Sequence, residues 1–185
     1  MTIPPFDSIR NTLPPHLGDP RNPADLSPYP CTVQELCVRF ATSAKRKTIL
    51  EGFLDLRAEL LTLGVRGFQW LDGSLLEDIE TLESRDPENI DVVTFVASPD
   101  DSAKLFAAIK PKPELLSRHH VKGTFLVDHF WVPLGCPPRE LVYHARYWYG
   151  LFSHRRGGVW KGMLVVELAS PADDDAARKG LGGKP

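Results

Sequence analysis

Cysteine is scarce in this sequence: three residues in 185, Cys31, Cys37 and Cys136, with no C-x-x-C pair. Such a set gives no disulfide framework, argues against a thiolate zinc site and fits a reducing compartment. Charge of one sign is lacking too. Lys and Arg total 22 against 24 Asp and Glu, a formal net charge of -2. No general basic field holds the chain on nucleic acid, so any such contact must be local and sequence-specific DNA binding is not expected. Long apolar runs are also missing. None approaches the ~20 residues of a membrane span, and Met1 to Pro5 lacks the basic-then-apolar order of a secretory signal. These features predict a cytoplasmic protein without membrane contact.

What is present suits one globular domain, since 42% of the residues are hydrophobic and 25% charged. Residues 1–30 hold eight of the 17 prolines, which predicts an extended arm without regular structure, pinned by Phe6, Ile9, Leu13 and Leu17. The domain proper is expected over residues 31–170, and a frayed tail over residues 171–185.

Within the domain, Thr32 and Glu35 form a capping-box pattern ahead of Val33, Leu36, Cys37 and Phe40 at helical spacing. A second helix is predicted from Ala44 to Leu63, with Ile49, Phe53, Leu56, Leu60 and Leu63 on one stripe and Lys45, Arg46 and Lys47 on a solvated face. Phe68 to Leu71 reads as a strand, Leu75 to Leu82 as a helix, and valine-rich Ile90 to Ala97 as a buried central strand. A helix begins at Asp100 or Asp101. Thr124 to Val132 and Gly162 to Leu168 read as further strands, with a helix from Arg139 to Phe152 between them. The fold class is α/β (α+β): a mixed sheet of about four to five strands flanked by helices. His119 and His120 are expected in a loop, and His129 as a packed or surface residue facing away from Asp128.

The candidate site lies at strand ends. Gly73 and Ser74 close one strand, while Asn89 and Asp91, two apart at the start of the next, project from one face. Asp128 interrupts the apolar run Phe125 to Val132, where an ionised carboxylate is costly unless paired, hydrated or bound to a cation. His154, Arg155, Arg156 and Lys161 form the densest basic cluster near aromatic residues, a candidate phosphate or RNA contact.

Gly73-Ser74, Asn89-Ile90-Asp91 and Asp128 resemble the motifs of the polymerase-β-like nucleotidyltransferase superfamily: a Gly-Ser turn, an Asp-x-Asp on a strand, and a third carboxylate on a neighbouring strand. A closer resemblance is to a small uncharacterised bacterial family in that superfamily. It is carried by Leu13-Pro14-Pro15, Trp70-Leu71-Asp72-Gly73-Ser74, Arg85-x-Pro87-x-Asn89-Ile90-Asp91-Val92-Val93, and Tyr147-Trp148-Tyr149 through Ser153-His154-Arg155-Arg156 to Trp160-Lys161-Gly162. The resemblance implies Mg²⁺ or Mn²⁺ on Asp91 and Asp128, with Asn89 assisting, and an NTP held by Gly73, Ser74, Arg155, Arg156 and Lys161. It also implies nucleotidyl transfer to a hydroxyl on RNA such as tRNA, on a protein or on a small molecule. By analogy, toxin-antitoxin or phage-defence systems with a cognate partner protein are the expected setting.

One departure stands out. Asn89 occupies the place of the first aspartate and offers a neutral carbonyl oxygen where the pattern has a carboxylate. The alternative expectation is therefore a catalytically degenerate fold that serves as a nucleotide sensor or partner-binding module.

Overall fold

In the computed structural model, which describes residues 3–182, a mixed sheet carries helices on both faces. The elements in chain order are β1 (Tyr29–Pro30), α1 (Val33–Phe40), α2 (Ala44–Thr62), β2 (Arg66–Asp72), α3 (Ile79–Glu83), β3 (Ile90–Ser98), α4 (Ser102–Ile109), α5 (Arg118–Phe125), β4 (Val127–Pro133), α6 (Pro138–Phe152), β5 (Leu164–Leu168) and α7 (Pro171–Gly180). The sheet has five strands in the order β1-β5-β2-β3-β4. Strand β2 runs antiparallel to β3 and β5, whereas β3 and β4 are parallel, as are β1 and β5.

Period-two alternation sorts the strand side chains onto two faces. Leu71, Val92, Val127 and Val166 join the larger core with α1, α2 and α7. Val93, Phe95 and Val132 join a smaller aromatic core with Trp148 and Phe152 of α6. Helix α2 lies deep in the larger core: Ile49, Leu50, Phe53, Leu54, Leu56 and Leu60 are fully buried, each stabilising by about 1.5–3 kcal/mol relative to exposure. Its apolar surface extends around more of the helix than one stripe, so it is buried on several sides.

Several expectations change. The proline-rich arm is ordered against the domain: Ser27-Pro28 is cis, Tyr29 and Pro30 pair with β5, and Ile3 and Leu13 are buried while Ile9 and Leu17 are exposed. Proline at a sheet edge costs little, because its missing N–H faces no partner. The expected tail contains α7, whose Asp174 and Ala177 are buried. Arg46 leaves the solvated face and is buried, bonding Glu80 and the Leu75 and Glu77 carbonyls. The predicted helix over residues 75–82 divides into a 3-10 turn at Ser74–Leu76 and α3. His119 and His120 lie in α5, which ends at Leu126 in the left-handed conformation, so β4 begins later than Thr124.

A buried polar chain crosses the α2 side of the sheet. Arg57, 1% exposed, donates to both Asp174 oxygens at 2.8–3.0 Å and to Gln69 Oε1 at 2.7 Å. Gln69 donates to Thr94 Oγ1 at 3.0 Å, and Thr94 meets His129 Nε2 at 2.7 Å. Such a chain fixes register, because a one-residue slip would strand every member in the apolar core.

Candidate functional site

Register brings three carboxylates into one row. Asp72, the last residue of β2, pairs with Asp91 on β3, and Asp91 pairs with Asp128 on β4. Side chains of directly paired residues leave the same face, so all three project on the α6 side, at one end of the sheet. They border a cavity of about 640 Å³ whose wall also includes Gly73, Ser74, Asn89, Arg155, Arg156 and Lys161. Every site residue expected from the sequence therefore borders this space.

The Gly73 turn is fitted to Asp91. Gly73 has φ +92°, and a Cβ built on it would lie 3.1 Å from Asp91 Cγ, Oδ2 and N. Glycine is needed there both for the dihedral and for the approach. Asn89 donates its amide to Asp91 Oδ1 at 2.7 Å, satisfying one carboxylate oxygen.

Charge is distributed unevenly along the row. Burial raises the Asp72 pKa to about 6; Lys161 opposes this and Asp91 adds to it. Asp91 is also raised, by burial first and then by the charge on Asp128. Burial acts upward on Asp128 as well, but Arg118 and Lys122 outweigh it and hold its carboxyl below the usual value. Arg118 grips Asp128 with two nitrogens and lies over the Phe130 ring at 4.7 Å.

The basic cluster is mostly engaged. Lys161, 4% exposed, reaches Asp72 Oδ1 at 2.8 Å and Glu77 Oε1 at 2.6 Å. Its pKa is raised: burial acts downward, and the two acids overcome it. Arg155 pairs with Glu77 at 2.9 Å and Glu83 at 2.5 Å. Lys161 is thus a buried counter-charge in the wall, a different role from the phosphate-holding cation that the resemblance implies. Arg156 is exposed at the cavity.

Sequence reading missed Asp72, Glu77, Arg118 and Lys122. Asp72 carried a usable signal, since it ends an aromatic strand on the same parity as Trp70. Arg118 and Lys122 are an i, i+4 pair on a helix, hidden by the expectation of a loop and strand there.

The donor set matches a hard divalent cation, which takes oxygen ligands from carboxylates and amide carbonyls. Burial first, and the neighbouring acid second, raise the Asp91 carboxyl, and a cation beside it would offset both. Among the described residues, no three His, Cys, Asp or Glu side chains form a ready metal cage. Asp91 and Asp128 are the residues of the row that could hold such an ion, with water or phosphate oxygens completing its shell.

Residues 4–167 match the DUF6932 family, a family of unknown function. The chain belongs to that family. No curated protein and no solved structure matches this DUF6932 chain. The family match spans the arm, β1 to β4, α6 and nearly all of β5, so it contains the whole carboxylate row of the DUF6932 site. Among the described residues no helix is long and apolar enough to cross a membrane.

Proposed function

We propose that this DUF6932 protein binds an NTP with Mg²⁺ or Mn²⁺ and transfers its nucleotidyl group to a hydroxyl on RNA, a protein or a small molecule. The observation that carries the reading is the Asp91–Asp128 register pair on adjacent strands beside the Gly73 turn. In this reading Asp91 and Asp128 hold the divalent cation, with Asp72 as the third carboxylate of the row. When bound, the cation neutralises triphosphate charge and lowers the pKa of the attacking hydroxyl. Gly73 and Ser74 receive the triphosphate at the turn, where the missing side chain permits close approach. Arg155 and Arg156 face the phosphates, and Lys161 keeps Asp72 and Glu77 from repelling them. The acceptor hydroxyl gives its proton to water, its oxygen bonds to the α-phosphorus, the α–β phosphoanhydride bond breaks, and pyrophosphate leaves with the electron pair.

Purified protein incubated with labelled NTPs, Mg²⁺ or Mn²⁺ and total RNA tests the reaction. Label should enter an acceptor with wild type and fall at least a hundredfold with Asp91→Ala or Asp128→Ala. Transfer unchanged by both substitutions would remove the proposal.

A specific observation favours a second reading. Asn89 already bonds one oxygen of Asp91 and Arg118 both oxygens of Asp128, as in a site that has lost catalysis and serves as a nucleotide sensor or as the binding module of a cognate partner protein. Here wild type would be inert, and Asn89→Asp would restore metal affinity by adding an anionic oxygen beside Asp91. Mn²⁺ titration of both proteins decides it: equal, weak binding counts against the degenerate-site account.

A further inference from the structure

Part of the exposed surface of α6 is not built like an ordinary solvent face. Tyr143, Tyr147 and Leu151 recur at i, i+4 and i+8 and are 54%, 48% and 49% exposed. They form a stripe with about 6 Å between successive positions. Trp148 and Phe152 anchor the helix to the smaller core, and Tyr147 meets Trp148 edge-on at 5.0 Å while remaining half-exposed. Exposed aromatic stripes of this kind mark binding surfaces.

Cations accompany the rings. Arg139 and Arg146 are exposed on the same helix, and among the described residues neither forms an ion pair. The Arg146 guanidinium lies 5.4 Å from the Tyr143 ring centre. Glu140, the one acid in the sequence of this helix, faces His144 at 3.6 Å. At the C-terminal end the stripe runs into the cavity, whose wall contains Leu151, Phe152 and Arg156.

We infer that this face docks a single strand of nucleic acid and directs its terminal hydroxyl into the cavity, an inference that rests on the nucleotidyl-transfer reading above. Rings at regular intervals offer π-faces to unstacked bases, and unpaired arginines meet the phosphates, which is how single strands are held without sequence readout. A duplex buries its base faces and cannot use the stripe. A second copy of this chain fits poorly. A symmetric helix pair centred on the stripe sets Arg146 against its own twin.

Fluorescence anisotropy with a labelled single-stranded RNA, the DNA strand of the same sequence, and the corresponding RNA duplex tests the surface. Wild type should bind one or both single strands better than the duplex, with affinity falling as salt rises. Tyr143→Ser with Tyr147→Ser should weaken binding at least tenfold, and Arg146→Gln should reduce its salt dependence. Circular dichroism checks that the variants keep the fold, and Tyr143→Ser alone, which spares the Tyr147 contact with Trp148, is the control. Mg²⁺-nucleotide binding measured in parallel separates the two ideas. If only the surface is wrong, wild type and variants bind nucleotide equally and no strand responds to the stripe. If the pocket reading is wrong, wild type fails to bind Mg²⁺-nucleotide whatever the strands do. Preference for duplex, indifference to the tyrosines, or a sedimenting dimer dissolved by these substitutions overturns the inference.

Discussion

The backbone of Gly73 occupies the position from which any side chain would press on the Asp91 carboxylate, 3.1 Å from its Cγ and Oδ2. Together with φ +92°, this makes the turn doubly intolerant of a Cβ. Gly73→Ala should lower the unfolding free energy by about 1–3 kcal/mol and displace Asp91. Gly123, inside α5 with nothing within 4 Å of its built Cβ, is the control: Gly123→Ala should stabilise by roughly 0.5–1 kcal/mol. Urea denaturation of both variants measures the contrast.

The buried Arg57–Asp174 pair fastens α7 to α2 and, through Gln69, to the sheet. Removing one partner leaves an uncompensated buried charge, so Asp174→Ala should cost about 3–5 kcal/mol. Replacing both partners with Leu should cost less than Asp174→Ala alone, because no charge remains stranded. Equilibrium denaturation of the single and double variants tests this, and a double variant less stable than the single would contradict it.

His129 is buried beside Thr94, and burial lowers its pKa from 6.5 to about 3; the Asp128 charge opposes this only in part. The folded protein binds this proton less readily than the unfolded chain. The contribution is therefore complete above pH 6.5 and is lost as pH falls towards 3, by up to about 1.4 kcal/mol per pH unit. His129→Gln should flatten the stability profile between pH 6.5 and 4. An unchanged slope would mean that His129 is not the group responsible.

The sequence disclosed the elements whose local signals agree with their surroundings. Thr32 and Glu35 cap α1 reciprocally as their spacing requires, and the valine run of β3 is central and buried. The candidate site was legible for a related reason: residues of equal parity at strand ends converge once the strands are neighbours. The misplaced features depend on distant partners. Asp174 orders α7 only because Arg57 lies 117 residues earlier, and Arg46 is buried only because Glu80 and two carbonyls await it. No local window contains such pairings. Lys161 looked like a free cation for the same reason, since its acids Asp72 and Glu77 arrive from another part of the chain.

The account rests on Asp91 and Asp128 acting as one cation site. Titration of Mn²⁺ into the protein with a non-hydrolysable NTP analogue, followed by electron paramagnetic resonance, tests this directly. Wild type should bind Mn²⁺ more tightly with the nucleotide than without it, and Asp91→Ala and Asp128→Ala should each weaken that binding by about 100-fold. Mn²⁺ binding that is independent of nucleotide, or equal in all three proteins, would contradict the account.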